Sequence, residues 1–174
     1  MTDQLVRQLL DVEAIKQLKA RYFRYVDTKQ WTELAALFTA SPHIDFGDVV
    51  FTDATEFATS TGRLIGRTPT VHHGHMPEIE LTGPDTATGV WAMEDLVTVP
   101  SGPHTPHGHH GYGHYHETYH RVDGRWRIAR LKLTRLRLDP LDETDPRRLA
   151  GAHLEQAASG SRSVGTGHHE RSSS

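Results

Sequence analysis

Near the start of the chain, apolar residues recur at steps of three and four. Leu5, Leu9, Val12, Ile15, Leu18, Tyr22 and Val26 fall on one helical stripe, which predicts an amphipathic helix over residues 3–27. A second, short helix follows Lys29-Gln30 and carries Trp31, Leu34, Leu37 and Phe38. Ser41-Pro42 stops it, because a proline drives the residue before it out of helical conformation. His43-Ile44-Asp45-Phe46 reads as a short strand. Asp53-Ala54-Thr55-Glu56 has the spacing of a capping box with Asp as the cap, and predicts a short helix through Thr59.

The punctuation then changes. Gly66, Pro69, Gly74 and Pro77 argue against a long regular element over residues 63–78. Beyond them the pattern turns to strand. Glu78-Ile79-Glu80-Leu81 alternates polar and apolar, Gly83-Pro84-Asp85 marks a turn, and residues 86–98 predict a long strand. A Pro/Gly/His loop follows over 99–109, then strands over 110–122 and 125–138. Asp123-Gly124 joins those two as a hairpin. The last strand changes phase: Trp126 and Ile128 are apolar on one parity, Leu131 and Leu133 on the other. Either a bulge near Ala129-Arg130 reconciles them or the strand is buried on both faces. Leu141 and Leu149 can dock a short helix. From Ala157 onward the chain cannot bury enough apolar surface to fold alone.

Helices first and long antiparallel strands after them predict an α+β domain over residues 1–140, with a C-terminal extension over 141–174 whose last part is disordered. The helices cover one face of a strongly curved sheet. Such a sheet makes a cone with an apolar interior, the kind of place where small molecules bind.

Composition narrows the classes. The 174 residues carry a formal charge of −3, and the basic residues form no stripe, so nucleic acid is not an expected partner. Cysteine is absent, which excludes disulfides and thiolate chemistry. No apolar run is long enough for a membrane helix, and Met1-Thr2-Asp3-Gln4 lacks the regions of a signal peptide. A cytoplasmic protein is the expectation. The 14 histidines, dense between His104 and His120, raise the question of a metal. With no HxxxH pair on a helical segment and no HExxH, no metal site is expected.

Asp95 is the residue most suggestive of chemistry. In Trp91-Ala92-Met93-Glu94-Asp95-Leu96-Val97 it shares a strand face with Gly89, Trp91, Met93 and Val97. A carboxylate on an apolar face must be paired, hydrogen-bonded or neutralised, and such groups are candidates for acid–base work. The alternative is a frayed, wet strand end.

Several motifs together resemble one family. They are Tyr22-Phe23-Arg24-Tyr25-Val26-Asp27-Thr28-Lys29-Gln30-Trp31, Ile44-Asp45-Phe46, Val71-His72-His73-Gly74-His75-Met76-Pro77, Gly89-Val90-Trp91 and Gly111-Tyr112-Gly113-His114-Tyr115-His116-Glu117-Thr118-Tyr119. Over roughly residues 8–139 the chain resembles the SnoaL-like branch of the NTF2-like, or cystatin-like, cone-fold superfamily. Within it the chain looks most like scytalone dehydratase and bile-acid 7α-dehydratase. The resemblance implies a cone-shaped barrel, a hydrophobic oxygenated ring compound of polyketide or steroid type as substrate, no cofactor, and a homodimer or homotrimer.

It also implies roles. Asp27 matches an aspartate that positions a catalytic histidine; His72 best matches that histidine, with His73 and His75 close by. Tyr22 matches a substrate-binding tyrosine. Asp95 matches a strand aspartate and, held protonated, would serve as acid to a leaving hydroxyl. Phe46, Trp91, Met93, Tyr115, His116 and Arg135 are candidate substrate-binding residues, Arg135 for a carboxylate or phenolate. There are departures: Val26 and Phe46 stand where scytalone dehydratase has tyrosines, so its two-tyrosine clamp is absent. Dehydration by a His–Asp pair is the leading expectation. Polyketide cyclase or ketosteroid-isomerase-like activity, or a non-catalytic binding module, are the alternatives.

Overall fold

The structure is a computed structural model and describes residues 2–99 and 108–141. Three helices and six strands follow in the order α1 (Thr2–Asp27), α2 (Trp31–Ala35), β1 (Phe38–Asp45), β2 (Val50–Phe51), α3 (Ala54–Ile65), β3 (Thr70–Leu81), β4 (Thr86–Thr98), β5 (Gly108–Val122) and β6 (Arg125–Pro140). The strands form one open sheet in the order β2-β1-β6-β5-β4-β3. All pairings are antiparallel except β1 with β6, so the sheet is mixed and not closed. The fold is thus the expected α+β arrangement of helices on a curved sheet. The expected short helix at Leu149 and most of the loop at 99–109 lie outside the described residues.

Local chemistry explains most of the elements. α1 buries Ile15, Leu18, Lys19, Tyr22, Phe23 and Val26 against the sheet, while Leu5 and Leu9 of the expected stripe stay exposed. Asp53 caps α3 by accepting the backbone N–H groups of Thr55 and Glu56. That helix runs to Ile65, past the expected end at Thr59. α2 is shorter than expected. It ends at Ala35, and Phe38 opens β1 with its ring buried. β4 buries alternate residues from Ala87 to Val97, as its alternation predicts. Asp123 and Gly124 form the β5–β6 turn, with φ of 49° and 74°, the signature of a two-residue type I′ hairpin.

Two features correct the sequence reading. β3 is a 12-residue strand where no long element was expected. It is an edge strand, mostly exposed, and before Glu78 it lacks the apolar alternation that would reveal it. Its register shifts between Gly74 and Pro77; a proline is tolerated at such an irregular edge. β6 carries the expected shift around Ala129, and a second beside Leu136. The first of the two shifts turns Leu131, Leu133 and Arg135 toward the helices.

Candidate active site

Helices and strands converge on one cavity of about 500 Å³. α1 supplies Tyr22 and Val26, and β3 supplies His72. The strand side supplies Asp95, Tyr115, Leu133 and Arg135. Phe46, Val49, Phe51 and Phe57 with Leu64 and Ile65 build an apolar wall. An apolar cavity with a few convergent polar groups is the usual form of a small-molecule site.

Asp27, the last residue of α1, does not cap the following helix; Gln30 holds that cap position without a side-chain bond. Both carboxylate oxygens of Asp27 turn to β3. Oδ2 accepts the His72 backbone N–H at 2.9 Å, and Oδ1 lies 2.7 Å from His72 Nδ1. Thr70 Oγ1 donates to the same Oδ1 at 2.9 Å and itself accepts from Lys29 Nζ at 2.7 Å. Backbone and ring contacts together fix the imidazole. With Asp27 accepting from Nδ1, a neutral ring carries its free lone pair on Nε2. The His72 side chain is 9 % exposed. Of the three neighbouring histidines, His72 lines the cavity; His75 is 56 % exposed and lies 3.9 Å from Glu94.

Asp95 is the cross-strand partner of His72, so the two side chains leave the same face with Cβ atoms about 5 Å apart. Its environment differs from the one expected. Arg135 grips it with two bonds of 2.7 Å, Nη1 to Oδ1 and Nη2 to Oδ2, and His109 Nε2 lies 3.5 Å away. Burial pushes the Asp95 carboxyl up, but the hydrogen bonds from His109 and Arg135 and the guanidinium charge overcome it and hold the group well below the usual carboxylate range. Asp95 is therefore ionised at neutral pH and cannot serve as the proton donor expected from its apolar strand face. Arg135, in turn, is already occupied by a bidentate carboxylate, so it is not an open receptor for a substrate carboxylate. Gly111 permits this pairing: a Cβ there would overlap Arg135 Nη1 and Asp95 Oδ1.

Beneath the cavity floor lies a second charged pair. Lys19 donates to Glu117, both side chains being fully buried, and Tyr119 donates to the other Glu117 oxygen. Trp91 Nε1 donates to the Tyr119 hydroxyl at 2.8 Å. The Lys19 ammonium sits 3.6 Å from the Tyr115 ring centroid and 4.2 Å from that of Tyr22. Burial pulls the Lys19 ammonium below its ordinary value, opposed by Glu117. Burial, helped by the Glu117 charge, pushes the Tyr22 hydroxyl above the ordinary phenol value. It stays a proton-bearing donor across the physiological range.

The remaining candidates divide. Phe46 and Tyr115 line the cavity. Trp91 and Met93 are core residues, Met93 sulfur lying 3.8 Å from Arg135 Nη1. His116 alternates with Tyr115, so it points to the outer face, exposed, beside Thr134 at 3.1 Å; it does not reach the cavity. Sequence reasoning missed Lys19, Gly111 and the wall from Val49 to Leu64. Lys19 had a signal, since it lies four residues from both Ile15 and Phe23 on the buried stripe. Among the described residues no group of three or more His, Cys, Asp or Glu could hold a metal ion, and no helix is long and apolar enough to cross a membrane.

A helix-backed, half-open cone with an imidazole–carboxylate pair on its wall has the form in which small-molecule sites are usually built. The chain belongs to the SnoaL-like domain family, whose sequence profile spans residues 7–132. It is 26 % identical over 134 residues to a protein of Gibberella zeae named "Probable cyclase FGR4", covering 70 % of this chain and 89 % of that one. A crystal structure from Novosphingobium aromaticivorans described as a "Putative Scytalone Dehydratase" matches with a TM-score of 0.69 and 22 % identity, over 82 % of this chain and 93 % of the other. An NTF2-like protein with a cystatin-like fold from the same species matches with a TM-score of 0.65 and 19 % identity, over 85 % and 92 %. These likenesses fix the fold as NTF2-like.

Proposed function

We propose that this protein is a cofactor-independent enzyme of the lyase or cyclase type, acting on a hydrophobic, oxygenated ring compound, with dehydration as its reaction. The observation that carries the reading is the contact of His72 Nδ1 with Asp27 at 2.7 Å on the wall of an apolar cavity. Membership of the SnoaL-like family and the names of its relatives, a cyclase and a scytalone dehydratase, support it.

In the proposed reaction His72 Nε2 takes a proton from the carbon next to a carbonyl. Asp27 holds the tautomer and stabilises the imidazolium, an arrangement typically worth about 10²–10⁴ in rate. Tyr22 donates a hydrogen bond to the developing enolate oxygen. The C–O bond at the neighbouring carbon then breaks, and the departing hydroxyl takes the proton from the imidazolium and leaves as water. Base and acid are one group, so no cofactor is consumed and Asp95 need not give up a proton. Ionised Asp95 instead anchors Arg135, whose charge faces the same cavity. Cyclisation or isomerisation would use the same first step; the cyclase relative favours cyclisation as the second reading.

His72→Ala and Asp27→Ala, assayed with the parent against hydroxylated polycyclic ketones, test the proposal. Loss of at least about a hundredfold in turnover by His72→Ala is expected. Turnover equal to the parent by both variants ends it.

A further inference from the structure

The other face of α1 borders a second groove, of about 550 Å³, that shares no lining residue with the cavity just described. Ala14, Leu18, Arg21 and Tyr25 form its helical side at steps of three and four; the β5–β6 hairpin forms the opposite side with Arg121, Arg125, Trp126 and Arg127. We propose that this groove binds an organic phosphate, with Arg21 and Arg125 gripping the phosphoryl oxygens and the apolar wall taking the organic part.

Four guanidinium groups meet here in a chain whose net charge is −3, so the basicity is local. Their states differ. Arg121 is committed: it pairs with Asp11 at 2.8 Å and Asp85 at 3.0 Å and lies 4.4 Å over the Trp126 ring. Arg127 donates to the Ala36 carbonyl. Arg21 and Arg125 have no carboxylate partner among the described residues. The one acidic residue in the lining, Glu33, is exposed and within ion-pair distance of neither. Two unpaired guanidinium forks reaching one groove from separate elements match a dianion, and the planar fork is the side chain best suited to phosphate oxygens. Beside them Leu18 is 2 % and Trp126 6 % exposed. That gives the charges a low-dielectric backing that strengthens their field. The groove far exceeds the volume of a phosphate ion, which argues for an organic body.

Trp126 provides the reporter, because it lines the groove and its indole N–H is held by a bond to Asp11 at 3.1 Å. The full chain is titrated with phenyl phosphate, inorganic phosphate and phenol while the Trp126 indole resonance is followed by NMR. Phenyl phosphate should move that resonance saturably with Kd of about 1 mM or tighter. Inorganic phosphate should bind roughly tenfold more weakly, phenol should leave the signal unmoved, and added salt should weaken binding. Arg21→Gln with Arg125→Gln should weaken phenyl phosphate binding by at least about tenfold at an unchanged melting temperature. An unmoved resonance, equal binding by the double variant, or inorganic phosphate binding as tightly as phenyl phosphate overturns the proposal. Turnover at the other cavity does not enter the result.

Discussion

Replacing Arg135 by methionine should destabilise the protein, and by an amount that depends on pH. Asp95 is 2 % exposed and takes both its short bonds from Arg135, whose side chain is 30 % exposed. Removing one partner of a fully buried pair costs about 3–5 kcal/mol because the other charge is stranded. Discounting for the exposed part of Arg135 leaves about 2–4 kcal/mol at pH 7. In the parent, the folded-state pKa of Asp95 is depressed. Its contribution is therefore complete above the unfolded value of about 4 and is lost as pH falls through the lower folded value. Without Arg135, burial acts with only His109 against it, and the folded pKa rises. The variant's deficit should then be largest at neutral pH and shrink toward pH 4, as Asp95 takes up a proton. Urea unfolding of parent and Arg135→Met at a series of pH values measures this directly. A deficit below about 0.5 kcal/mol, or one constant from pH 7 to pH 4, would refute the claim that an ionised Asp95 depends on Arg135.

Gly111→Ala should produce a similar loss by a different route, because the added Cβ displaces Arg135 from Asp95; thermal unfolding should show a deficit of about 1–3 kcal/mol, and wild-type stability would show that the strand accommodates the methyl group. Lys19→Met should cost about 3–5 kcal/mol by stranding Glu117, whereas Lys19→Met with Glu117→Gln should recover much of that loss. Chemical denaturation in which the double variant is no better than the single would contradict the pairing.

How much could be read from the sequence follows the chemistry of burial. β4 and β5 bury one face each, so their alternation is plain, and Asp53 and Asp123-Gly124 announce themselves because cap and turn geometry demand those residues. The first part of β3 is hidden because it is an exposed edge strand whose side chains need no apolar pattern. Its one residue on the cavity wall, His72, was reached through the family resemblance rather than through periodicity. The shift at Ala129 shows as a change of apolar parity. The one beside Leu136 does not, because the residues that follow it are exposed. Asp95 was legible as a buried carboxylate, but its protonation state was not. That depends on Arg135, whose parity places it inside but whose reach across Gly111 appears only in three dimensions. Lys19 shows the same limit: a lysine on a buried stripe reads as an anomaly until Glu117, 98 residues later, is seen beneath it.

The proposed chemistry depends on Asp27 fixing the tautomer of the His72 ring on the wall of an apolar cavity. Nitrogen-15 NMR of the His72 imidazole in the ligand-free protein tests it without any knowledge of the substrate. At neutral pH and in the unprotonated ring, the proton should sit on Nδ1, with Nε2 bare, and Asp27→Leu should lose that preference. A ring that holds its proton on Nε2, or that shows the same tautomer in parent and variant, would contradict this arrangement.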